Sequence, residues 1–144
     1  MKRILSAAIL VMELILTVSC ATDKITEQSE GPSISFNKDG KLKIAQFTDT
    51  HLCWTNQTEY EKTYNQLVST LDTEKPDLAI FTGDVVTGNG GAKDALDKFF
   101  SAFDDRHIPY VSLHGNHDRE RDLSEWDLAG TVAGHPSSLN TIKD

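Results

Sequence analysis

The sequence predicts an α/β fold, a β-hairpin followed by a strand–helix–strand–helix–strand series. Short apolar runs recur at 42–47, 77–81 and 110–113, a length that suits buried strands. The stretches between them carry apolar residues at helical spacing. Each run then breaks off into a cluster of Asp, His, Asn or Gly, as happens where parallel strands present their carboxyl ends to a ligand. The chain has 144 residues, 38% hydrophobic and 25% charged, which is material for about one domain with an ordinary core. Lys and Arg number 14 against 22 Asp and Glu, and the net charge of -8 excludes a surface that coats nucleic acid. A phosphate ester remains admissible as a small substrate, because a bound cation reverses the local field.

The first segment stands apart from the fold. Lys2 and Arg3 precede an apolar run from Ile4 to Val18, and Ser19-Cys20 leads into polar sequence. That outline is a signal peptide over residues 1–19, so the protein is expected to be exported to the cell envelope. Cys20 directly after a small residue resembles a bacterial lipoprotein cleavage site, with lipidation of Cys20 as the membrane anchor. Thr17 and Glu13 depart from that pattern, and an uncleaved anchor or a plain signal peptide are the competing readings. Residues 20–32 are polar and aperiodic, a flexible tether to a domain spanning 33–144.

Within that domain, Ser33–Phe36 and Lys41–Thr48 flank Asn37-Lys38-Asp39-Gly40, and Asp-Gly between β-prone runs predicts the hairpin. Tyr60, Tyr64, Leu67, Val68 and Leu71 predict a helix that Pro76 stops. Asp77–Phe81 follows as a buried strand. Ala95, Leu96, Phe99, Phe100 and Phe103 mark one side of a second helix from Ala92 to about Asp105. Tyr110–Leu113 is the third strand, residues 124–130 make a short helix, and the rest reads as loop. Strands alternating with helices imply a parallel sheet.

The strand-end clusters are Thr48-Asp49-Thr50-His51, Thr82-Gly83-Asp84 and His114-Gly115-Asn116-His117-Asp118. In a parallel sheet they meet at one edge, although Asp49, Asp84 and Asn116 lie 35 and 32 positions apart. Hard oxygens with an imidazole suit Mn, Fe or Zn rather than a thiolate-loving metal. A carboxylate that bridges two such ions about 3.5–4 Å apart would serve a phosphoryl transfer. Asp-x-His or Gly-Asp alone is a weak motif, whereas Gly-Asn-His-Asp right after a strand is a specific one.

With these residues the sequence resembles the calcineurin-like metallophosphoesterases, in the branch of bacterial envelope enzymes and purple acid phosphatases. The likeness runs from about Lys41 to Leu123. It implies the N-terminal half of a metallophosphoesterase β-sandwich flanked by helices, hydrolysing a phosphate mono- or diester, or a nucleotide, with two metal ions (Mn, Fe or Zn). Carried over position by position, Asp49 and His51 bind the first metal, Asp84 bridges both, and Asn116 binds the second. His117 protonates the leaving oxygen, and Asp118 orients His117.

The departures are specific too. Purple enzymes place an iron-binding Tyr where this sequence has Thr87, so a ferric–tyrosinate chromophore is not expected. The family completes its site with a later His and a Gly-His-x-His, and neither occurs in these 144 residues. Gly134-His135 runs into Pro136-Ser137 and follows Asn116 too soon, so His135 is expected to be a loop histidine. The expectation is therefore a truncated domain. A non-catalytic envelope binding protein, or an inactive truncated product, are the alternatives to an enzyme. His107 reads as structural at a helix end, Asp104-Asp105 as solvated surface and Cys53 as packing, while His114 reads equally as substrate contact or as support.

Overall fold

The three apolar runs form three short strands, β1 (Ile44–Phe47), β2 (Leu78–Phe81) and β3 (Tyr110–Ser112), in a parallel sheet of order β1-β2-β3. The computed structural model describes residues 31–87, 90–119 and 123–142. The expected signal peptide and Cys20 lie outside the described residues, as does the tether up to residue 30. Between the strands run α1 (Gln57–Glu74) and α2 (Ala92–Asp104), and α3 (Glu125–Ala133) follows β3. Among the described residues no helix is long and apolar enough to cross a membrane.

Register explains the core. Ala45 and Phe47 lie opposite Ala79 and Phe81, which lie opposite Tyr110 and Ser112. Side chains on a strand alternate between faces, so these six share one face, and the helices cover it. Phe81 is the hub. Its ring centroid is 5.2–5.6 Å from those of Phe47, Phe99, Phe100 and Phe103 and 6.2 Å from that of Tyr110. Full burial of such a ring contributes about 1.5–3 kcal/mol, and each well-set aromatic pair adds about 0.5–1.5.

Two buried hydroxyls are satisfied by helix backbone. Tyr60 donates to the Ala95 carbonyl at 3.0 Å, tying α1 to α2, and Tyr110 donates to the Val132 carbonyl at 3.1 Å, tying β3 to α3. Burial pushes the ionisation of both phenols well above the ordinary tyrosine range. A bidentate Arg106–Asp72 pair (2.7 and 3.0 Å) staples the end of α2 to α1 and holds the Asp72 carboxyl below its usual range.

The predicted hairpin does not form. The turn itself is present, because the Asn37 side chain accepts from the amides of Asp39 and Lys41, both at 2.9 Å. Residues 33–36 make no strand, however, and Phe36 is 71% exposed. The Lys43 backbone is engaged elsewhere: its amide donates to Asp77 Oδ2 at 2.7 Å, and its carbonyl accepts from Asp77 and Leu78. Turn chemistry specified the bend, and tertiary hydrogen bonds took the partner strand's place.

The stretch after Gly130 is also more ordered than a loop. Leu128 and Val132, four apart and both buried, carry α3 on to Ala133. Beyond it the chain returns along β3. Tyr110 exchanges backbone hydrogen bonds with Ser137 and Leu139, and the Asn140 amide grips both the N–H and the C=O of Ser112 at 2.9 Å.

Candidate metal centre

The polar clusters follow the carboxyl ends of the three strands, as a parallel sheet requires. The first and second loops continue side by side past β1 and β2. Asp49 N donates to the Gly83 carbonyl at 3.1 Å, His51 N to the Asp84 carbonyl at 3.1 Å, and Leu52 N to the Val85 carbonyl at 2.8 Å. Thr50 adds a side-chain bond to the same Val85 carbonyl at 2.9 Å. This extension of the ladder brings Asp49, His51 and Asp84 together, and one ligand atom from each lies within 4.8 Å of the others.

All three of those residues adopt left-handed backbone, with φ of 52°, 45° and 54°. Asp and His visit that region more readily than most residues, but three such positions in one cluster are unusual. Each such conformation costs on the order of 1–3 kcal/mol and persists only when its surroundings impose it. Here the paired loop backbones impose it, and the three donor side chains converge.

Glycine makes the approach of the third loop feasible. A Cβ on Gly83 would sit 2.8 Å from Gly115 N and Cα. A Cβ on Gly115 would lie 2.5 Å from Asp84 N and would also collide with its carboxylate. With both side chains absent, Asp84 Oδ1 accepts the His117 amide at 2.9 Å, which places Asn116 and His117 beside the second loop. The rings of His51 and His117 meet edge to face at 5.2 Å. Thr48 Oγ1 donates to Asp49 Oδ2 at 2.5 Å, and His51 Nε2 lies 3.6 Å from Asp49 Oδ1. Asp49, His51 and Asn116 are exposed, whereas Asp84 and His117 are partly buried.

Asp118 is the exception in burial, at 2% exposure. Its Oδ1 accepts the Val86 amide at 2.9 Å and its Oδ2 the Gly115 amide at 2.8 Å, so both oxygens are spent on loop backbone. The family resemblance implies that Asp118 orients His117, and no local pattern points to these two backbone contacts. The only sequence signal was an acidic residue directly after a strand-end Gly-Asn-His.

The remaining candidates lie apart from this cluster. His135 packs against Phe100 with Nδ1 2.6 Å from Asp104 Oδ2, and Ser137 N donates to Asp104 Oδ1 at 2.9 Å. Asp104 is thus a partly buried anchor for the returning chain, not the solvated surface expected of it. His107 is exposed and left-handed at the turn after α2, a structural place. Trp54 and Cys53 follow the first loop, with Trp54 packed edge-on against Tyr60 at 5.0 Å.

A parallel α/β sheet thus gathers carboxylates and imidazoles at its carboxyl edge, in a group that could hold a metal ion. The chain belongs to the calcineurin-like phosphoesterase family, whose model matches residues 42–140. It is similar to "Probable inactive purple acid phosphatase 14" of Arabidopsis thaliana, with 30% identity over 125 residues, 76% of this chain and 31% of that protein. It is likewise similar to "Phosphatase DCR2" of Saccharomyces cerevisiae, with 34% identity over 116 residues, 70% of this chain and 20% of that protein. A "Probable cyclic nucleotide phosphodiesterase" of Moraxella catarrhalis is 36% identical over 90 residues, 60% of this chain and 30% of that protein. The chain therefore spans a third or less of the length of these relatives.

Proposed function

We propose that this chain carries the metal-binding half of a phosphoesterase that hydrolyses a phosphate mono- or diester at a two-metal site. The observation that carries the reading is the convergence of Asp49, His51 and Asp84 in three left-handed backbone positions. The donor set fits the group: two carboxylates, an imidazole and the nearby Asn116 amide are the ligands that Mn, Fe or Zn take. Asp49 and His51 would hold one ion, Asp84 would be shared, and Asn116 would serve the second. Bound there, the ions would neutralise phosphate charge and acidify the attacking water.

The chain's own residues supply the rest. His117 is held by its amide on Asp84 and stands against His51, where its imidazole gives a proton to the leaving alkoxide. The substrate class is a small phosphate ester or nucleotide. The N-terminal segment supports export to the cell envelope with a lipid anchor at Cys20, and mass analysis of the membrane-bound protein tests this by finding or missing a lipidated Cys20.

Full-length protein titrated with Mn2+ and assayed on p-nitrophenyl phosphate and bis(p-nitrophenyl) phosphate tests the enzymatic reading. His117→Ala is expected to retain metal while turnover falls about 10²–10⁴-fold, the usual worth of a positioned proton donor. Unchanged turnover removes His117 from this role. Metal uptake without hydrolysis in the wild type would favour the non-catalytic reading, towards which the inactive label on the plant relative points.

A further inference from the structure

The centre needs loops from three different strands to keep a fixed spacing. The first two loops stay paired through Leu52 and Val86, but the pairing of β2 with β3 stops before the ligands. β2 pairs with β3 only as far as Phe81 and Ser112, with one further backbone bond from Leu113 N to the Phe81 carbonyl. Beyond that point Gly83 and Gly115 pass in near contact, with no side chain of their own to lock the passage. A buried acidic side chain sits at this crossing. Asp118 is 2% exposed, and its two oxygens accept one amide from each loop, Val86 N of the second and Gly115 N of the third.

We infer that Asp118 is the positioning residue of the metal centre. It acts as a clamp that joins the Asp84 loop to the Asn116 loop, and its action does not pass through the His117 imidazole. The inference rests on the metal-site reading above and assigns Asp118 a role different from the one the family resemblance implies. Three features support it. Charge-assisted bonds from backbone amides to a carboxylate are short and strong, and they are worth most where water is excluded. Val86 lies two residues after Asp84 and Gly115 one residue before Asn116, so the clamp spans the two ligands at its closest reach. The Asp84 carboxylate makes the reciprocal bond, accepting the amide of His117 at 2.9 Å, so each loop lends the other a carboxylate. Asn would not fill the place, because it offers one acceptor oxygen and sets an NH2 group against the second amide.

The test compares wild type, Asp118→Asn, Asp118→Ala and His117→Ala in the full-length protein. In the metal-free state, amide hydrogen exchange is read at Val86 and Gly115 and, for reference, at Phe81 and Tyr110. The clamp is expected to protect Val86 and Gly115, and both Asp118 variants to lose that protection ahead of any loss at the strands. His117→Ala should leave it intact. Calorimetric Mn2+ binding is expected to weaken about 10–100-fold in Asp118→Asn, the usual effect of removing a support behind the ligands. Val132→Ala, a core truncation remote from the loops, should lower the melting temperature without moving Mn2+ affinity. If Asp118→Asn leaves both amides as protected as in wild type, the clamp is overturned. Loss of protection in His117→Ala to the same degree would overturn its independence from the imidazole. A wild type that takes up no Mn2+ defeats the metal-site reading, while the exchange measurement still decides the clamp.

Discussion

Asp49, His51 and Asp84 each sit in backbone that most residues avoid, and each offers a donor atom to the same point. Their conformations depend on the loops beside them, and those loops depend on Gly83 and Gly115 having no side chain. Gly115→Ala tests this dependence most directly, since the added methyl would meet the Asp84 backbone and carboxylate. The substitution is expected to cost about 1–3 kcal/mol in chemical denaturation, as overpacking does, and to weaken Mn2+ binding in the same variant. A variant as stable as wild type with full affinity would show that the crossing has slack. The residues of the cluster were legible at the sequence level, because Asp-x-His, Gly-Asp and Gly-Asn-His-Asp each follow an apolar run. Their left-handed geometry was not, since φ is imposed by neighbours that lie 31 or more positions away.

At the level of elements, the helices ran further than their apolar stripes. The stripe on α1 marks Tyr60 to Leu71, but the helix extends from Gln57 to Glu74. Its first turn is held by the Asn56 side chain, which accepts the Glu59 amide at 3.3 Å, and its end by left-handed Lys75, whose amide reaches the Leu71 carbonyl at 2.9 Å. Burial periodicity locates the buried turns and is silent about capped ones. Asn56→Ala is expected to cost about 0.5–2 kcal/mol, the usual worth of a side-chain N-cap, with the loss read by thermal melting. The hairpin failed for a complementary reason: Asp-Gly encodes a bend, and only the wider fold decides whether the two arms pair. The Lys43 backbone was taken by Asp77 and Leu78 instead.

For the whole molecule, the helices cover one face of the sheet. The opposite face carries Ile44, Ile80, Val111 and Leu113, with Ile44 and Leu113 about half exposed. Stability at the covered face leans on Tyr60 and Tyr110, whose phenols are harder to ionise folded than unfolded. The sign follows from proton counting. The folded chain retains these protons above the ordinary tyrosine value of 10.0, where the unfolded chain loses them. Their contribution is whole below that pH and falls as pH rises beyond it. The melting temperature is thus expected to drop steeply above about pH 10, and the drop should be shallower in Tyr110→Phe. The Asp72–Arg106 staple works in the other direction: Asp72 is held below its usual range, so its contribution is lost as acid protonates it.

By itself the sequence determined the alternation of strands and helices, the parallel sheet, the edge at which the polar clusters gather and the ligand chemistry they offer. Those follow from local periodicity and from the rule that parallel strands all point one way. Only the tertiary structure decided which backbone amides Asp118 holds, how near Gly115 comes to Asp84, and that Asp104 and His135 serve the returning chain instead of solvent. Each of these is a contact between residues whose distance in space no local pattern encodes, and each is settled by competition among all the groups that could have filled the same place.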